Sequence, residues 1–368
     1  MIKKTSIFIF VIAIAFSCSD DSSPMPISTD NFDRSEMLRF WANEIIIPAY
    51  VEYNAAVNEL EIAATEFFSD PTQVRLQNFR DTWLKAYLSW QSVSMFEIGK
   101  AEEIGLRNYT NIYPANTELI HSNITNQSYN LELPSNFAAQ GFPALDYLLF
   151  GIENTDEDII IALTSSKTAS YVNAVISRMN QLSSDVLEDW NNNFKVVFIA
   201  NNGSSATAST DKMVNDFLLY YEKFLRAAKI GMPAGIFSGS PNVNIVEAQY
   251  SNIYSKALFE KGFLTVRNFF NGISFDEQNQ GPSLKQYLDD IHKDNDADYD
   301  FATSINTQWQ TAENRLTEIK PNFKAQILED NTKMLALYDE LQKAVVTLKV
   351  DMMQALNIQI DFVDADGD

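Results

Sequence analysis

DPTQVRLQNFRDTWLKAYLSWQSVSMFEIG, Asp70 to Gly99, is the stretch on which the fold turns. Asp70-Pro71 reads as an N-cap followed by a proline at the first helical position. Phe79, Trp83, Tyr87, Trp90 and Val93 then recur every three or four residues, striping one face of a helix that runs to about Ile98. Gly99 marks its end. The aromatic stripe reads as core, because a ligand-stacking role would need those rings exposed in a cleft.

The same period appears on both sides. Residues 34–69 read as helical, with Pro48 kinking or dividing the segment. Helices are expected at Tyr171 to Trp190, at Asp211 to Ile230 with a stop at Gly231, over Ile245 to Phe270, at Ser283 to His292 and over Phe323 to Leu356. Asn271-Gly272 marks a turn. Only 12 glycines and 11 prolines punctuate 368 residues, and no convincing strand pattern appears. The expected class is all-α. Ile98-Gly99 is followed after four residues by Ile104, and Ile230-Gly231 after four by Ile236. Two similar helical halves, 34–165 and 166–360, would explain that matched spacing.

Residues 105–140 lose the helical period and collect Asn, Ser, Thr and Pro, as a functional loop would. They lead into Gly141-Phe142-Pro143-Ala144-Leu145-Asp146-Tyr147-Leu148-Leu149-Phe150-Gly151. One carboxylate stands among large apolar side chains there, and burying it is costly without a partner. Asp146 is expected either to cap a helix or pair with Arg107, or to form one wall of a ligand site.

The N-terminus reads as an export signal. Lys3 and Lys4 precede the apolar run Ile7 to Phe16, which is short for a membrane span. Ala15-Phe16-Ser17-Cys18 resembles a bacterial lipobox, and Cys18 is the only cysteine. Residues 1–17 are then a lipoprotein signal, 18–33 a flexible tether and 361–368 an acidic tail. Acyl chains on Cys18 would anchor the protein to a membrane. Its Cys-Ser-Asp-Asp start resembles the acidic signal that sends some lipoproteins to the outer face of the outer membrane.

The formal charge is −22, and cutting before Cys18 removes two lysines and no acid. Such a surface repels nucleic acid and anionic lipid. His121 and His292 are the only imidazoles, too few for a zinc hydrolase built on histidines. No Gly-x-Ser-x-Gly elbow, P-loop or dinucleotide fingerprint is present. Asp294, Asp296, Asp298 and Asp300 resemble the start of a calcium loop, but Tyr299 replaces its glycine and Ile305 its glutamate.

Four segments, in order, resemble the imelysin family of bacterial envelope proteins. They are Trp83-x6-Trp90 with Phe96-Glu97-Ile98-Gly99; Ile112-Tyr113-Pro114 with Glu118-Leu119-Ile120; the Gly141–Gly151 segment; and Gly231-Met232-Pro233-Ala234-Gly235-Ile236-Phe237-Ser238-Gly239 before Val246-Glu247-Ala248-Gln249-Tyr250-Ser251. The resemblance implies two four-helix-bundle-like halves related by duplication, an envelope location, a link to iron uptake and a site between the halves. The family is named for a metallopeptidase. Its Gly-x-His-x-x-Glu pattern appears here as Gly141, Pro143 and Asp146, so the imidazole ligand is missing. A divalent cation would need Glu97, Glu118 or Glu247 to converge on Asp146 as oxygen ligands. The resulting expectation is a non-catalytic envelope lipoprotein that binds a ligand or metal through Gly141, Asp146, Glu247, Glu97 and Glu118. The alternatives are a metallopeptidase and a structural surface module.

Overall fold

The computed structural model describes residues 31–294 and 300–362. Cys18, the expected signal, Asp296 and Asp298, and Asp364 to Asp368 lie outside them. Helices are the only regular elements of the described residues, with a single isolated bridge between Ile273 and Gln280 and no strand.

Four helices form a first bundle: α1 (Ile47–Ser69), α2 (Gln73–Gln91), α3 (Gly141–Phe150) and α4 (Ser166–Asp189). Helix α1 packs against both α2 and α4, and α3 closes the ring by touching α2 and α4. Asp33 caps the entering helix Arg34–Phe40, accepting from Glu36 N–H at 3.0 Å. That helix reaches α1 through a π-helical turn, Trp41–Ile46. Pro48 therefore sits in the first turn of α1, where its missing N–H is tolerated. Asp70 does not cap α2 but ends α1, its N–H bonded to Glu66 O at 3.2 Å. The cap is Thr72, whose hydroxyl accepts from Arg75 N–H at 3.3 Å. The stripe of Phe79, Trp83, Tyr87 and Trp90 is buried, as expected of core.

A second bundle follows. Helix α5 (Ser209–Leu219) runs on without a break as a π-helix, Tyr220–Gly231, and is joined by α6 (Ser255–Asn271), α7 (Phe301–Leu316) and α8 (Thr332–Val346). The π-helix packs on α6 and α8, and α8 on α7. Trp309 of α7 is fully buried at the centre, with the rings of Phe263 and Phe270 edge-on to it and Tyr221 tilted against it. The sequence reading overlooked α7, although Ala302, Ile305, Trp309, Ala312 and Leu316 carry its buried face. Asp300 caps α7, accepting from Thr303 N–H at 2.8 Å, which gives that carboxylate a structural task.

Two expectations are corrected. Helix α4 packs in the first bundle, so that bundle continues past residue 165. Residues 151–165 contain a short helix, Asp156–Thr164, which turns by 85° into α4. The stretch 105–140 is not one loop. It holds helices Leu106–Thr110 and Thr117–Asn126 and a 3₁₀ turn, Pro134–Ala139. The bundles meet where α2 packs on α6.

Candidate functional site

The Gly141–Gly151 segment is helix α3, and its glycines and carboxylate are used for close approach. Gly141 has φ +72°, and a Cβ there would stand 2.2 Å from the carbonyl oxygen of Thr110. A Cβ on Gly151 would stand 2.2 Å from the ring of Tyr250. Asp146 is buried at 2% exposure. Its Oδ2 accepts from Tyr250 N–H at 2.9 Å and its Oδ1 from Ser251 N–H at 3.0 Å. It pairs with backbone across the seam, and not with Arg107. Burial pushes its carboxyl up to about 6, while the two N–H groups pull the other way.

Three residues before Tyr250 comes Glu247, the hub of the seam. Its Oε1 accepts from Asn111 Nδ2 at 2.8 Å, from Gln91 Nε2 at 3.3 Å and lies 3.1 Å from the Tyr87 hydroxyl. Its Oε2 forms a buried ion pair with Lys229 Nζ. Burial lowers the Lys229 ammonium below its ordinary value, against the pull of Glu247. Glu247 also adds negative charge near Asp146.

The π-helix explains how Lys229 arrives there. At 3.6 residues per turn, nine residues rotate by about two and a half turns, so α winding would set Tyr220 and Lys229 on opposite faces. The wider i→i+5 winding reduces that to about two turns and returns both to one face. Tyr220, Phe224, Ala228 and Lys229 accordingly share a wall of one cavity. The sequence reading assumed an α-helix there and missed Lys229. A lysine among aromatics was the available signal.

Glu97 belongs to a second cluster. Its Oε2 lies 3.0 Å from Arg107 Nε, and its own N–H donates to Asp216 Oδ2 at 2.6 Å. Arg107 Nη2 reaches Asp216 Oδ1 at 2.7 Å. Burial pushes Glu97 up to about 7, although Arg107 draws it down. Glu118 is exposed in the first turn of the helix Thr117–Asn126. The structure thus keeps Glu247 near Asp146 and places Glu97 and Glu118 elsewhere. His121 is exposed, its Nε2 2.5 Å from the Tyr147 hydroxyl.

Between the two charged clusters lies a cavity of about 240 Å³, bounded by Trp90, Asn111, Tyr113, Arg107, Phe224 and Lys229 among others. Its walls come from α2 and the following loop on one side and from the π-helix and its exit on the other. A metal of the kind the family's name implies finds no suitable donor set here. Among the described residues no three His, Cys, Asp or Glu side chains converge. Both oxygens of Asp146 already accept from backbone N–H groups, and both of Glu247 are engaged.

Two helical bundles with a mostly apolar cavity at their seam, flanked by buried ion pairs, define an all-α, two-bundle class of protein. The chain belongs to the imelysin family: residues 46–352 match the family described as Imelysin. It is 21% identical over 330 residues to iron-regulated protein A of Synechococcus elongatus, covering 85% of this chain and 86% of that one. Its fold is similar to that of an imelysin-like protein from Psychrobacter arcticum, with a TM-score of 0.70, 20% identity, and coverage of 90% of this chain and 99% of the other. A putative iron-regulated protein A precursor from Parabacteroides distasonis is similar at a TM-score of 0.69 and 16% identity, covering 87% of this chain and 95% of its own.

Proposed function

We propose that this protein is an imelysin-like lipoprotein of the cell envelope that binds a small ligand without catalysing a reaction on it, in the service of iron uptake. The observation that carries the reading is the seam cavity, lined from both bundles and flanked by buried ion pairs. Concave, mostly apolar sites with a few convergent polar groups are where ligands bind. The link to iron rests on the relative named iron-regulated protein A. Anchoring rests on Cys18 and the apolar run before it, with the outer membrane as the destination and iron-uptake components as the partners.

The metallopeptidase alternative is weakened by chemistry. A hydrolytic metal needs several protein ligands and an open position. Pro143 supplies no ligand, and the motif carboxylate is bonded to backbone. The structural alternative gains from that same bonding, since Asp146 acts as a staple between segments.

The purified protein is assayed for proteolysis with and without chelator, and for ligand binding by calorimetry. No chelator-sensitive cleavage is expected. Cleavage lost on adding chelator and on Asp146→Ala would overturn the non-catalytic reading. Membrane fractionation of Cys18→Ser tests the anchor, which is wrong if the variant fractionates as the parent does.

A further inference from the structure

We propose that the seam cavity selects a small, uncharged molecule carrying a hydrogen-bond-accepting head on an apolar body. This rests on the cavity being the binding site.

The first argument is the supply of donors. An ammonium has three N–H groups, and Lys229 gives one interaction, to Glu247. Tyr113 also lines the cavity and carries a hydroxyl that can donate, and the buried Tyr220 hydroxyl, which completes no full hydrogen bond, lies beside Ser94. One orphan acceptor, Gln91 Oε1, stands against them. Its amide orientation is set by Nε2 donating to the Glu247 carboxylate. The Lys229 ammonium can only donate, while the hydroxyls can donate or accept, so an accepting head is the complement the ammonium requires, and buried polar groups left unmatched are costly.

The second argument is charge. Lys229 is neutralised by Glu247 and Arg107 by Asp216, while Glu97, the second carboxyl on Arg107, is pushed by burial up to about 7. No cation is left uncompensated for an anion to meet, and a cationic head would confront the Lys229 ammonium. Burying either unpaired charge is expensive. A neutral carbonyl or amide oxygen meets the donors without that cost.

The third argument is the remaining wall. Trp90, Ile112, Phe224, Met232 and Ile245 are apolar, and about 240 Å³ holds a body the size of a substituted ring.

Benzamide, benzoate and benzylammonium share one ring and differ in charge, so they separate these arguments. Each is titrated by calorimetry into the parent protein and into Ala228→Leu, which fills the cavity from the π-helix; circular dichroism and thermal melting check that the variant folds. Tyr113→Phe, a milder change, tests the head contact. Benzamide is expected to bind at least about tenfold more tightly than either charged probe, to weaken on Tyr113→Phe and to lose binding on Ala228→Leu. A charged probe binding as tightly as benzamide would overturn the selectivity and leave the cavity as the site. Binding of none of the three, or binding that a folded Ala228→Leu leaves unchanged, would overturn both.

Discussion

Asp146 is held by two backbone N–H groups more than a hundred residues away, and that decides what its loss does. Asp146→Ala leaves the N–H groups of Tyr250 and Ser251 without their acceptor, at about 1–3 kcal/mol for each buried group. We expect a stability loss of about 2–6 kcal/mol, seen as a lower urea midpoint with an unchanged slope; a parental midpoint would contradict the staple. Asp146 and Glu97 also predict a pH dependence. In the folded chain they hold protons up to about 6 and about 7, whereas exposed carboxyls release them near about 4. The folded state binds more protons across that interval, so their contribution is full below about pH 4 and is lost as pH rises to about 7. Urea midpoints measured from pH 4 to 8 should fall accordingly, and less steeply for Glu97→Gln. The sequence showed that Asp146 needed a partner. It did not show which, because backbone N–H groups carry no residue signature.

Helical periodicity located most elements and misjudged the winding of one. Asp211 to Ile230 has the apolar spacing of a single helix, and a single rod is present, but its second half is π-wound. That winding aims Lys229 at Glu247, joining the π-helix to the irregular segment that follows it. Removing one partner of a buried pair leaves the other charge stranded, at about 3–5 kcal/mol. Lys229→Met should therefore lower stability by about that amount, and Lys229→Met/Glu247→Gln should recover part of the loss. Chemical denaturation of the four members of that cycle gives the coupling directly; additive losses would show the pair to be inert. Helix α7 carries its own apolar spacing, Ala302, Ile305, Trp309, Ala312 and Leu316, directly after the run of aspartates. The two clusters around Glu97 and Glu247 were not readable, since their partners come from distant helices.

Across the whole molecule, the all-α class followed from the scarcity of Gly and Pro and from the amphipathic runs, and the two bundles from the resemblance to the imelysin family. The division between the bundles did not, because α4 is amphipathic in a way that suits either neighbour and only packing assigns it to α1. Contacts across the seam are numerous and buried: Arg107 with Asp216, Asp146 with Tyr250 and Ser251, and Gln91 with Glu247. Neither bundle can open without stranding charged groups of the other. Scanning calorimetry should give one transition whose calorimetric and van't Hoff enthalpies agree, and two resolved transitions would contradict that coupling. The position of the cavity has a mechanical consequence. One wall belongs to each bundle, so an occupant acts as a rivet that carries load between them. Held by one handle in each bundle, a single molecule pulled apart would yield at a higher force when the cavity is filled, and the protein would report occupancy as tensile strength.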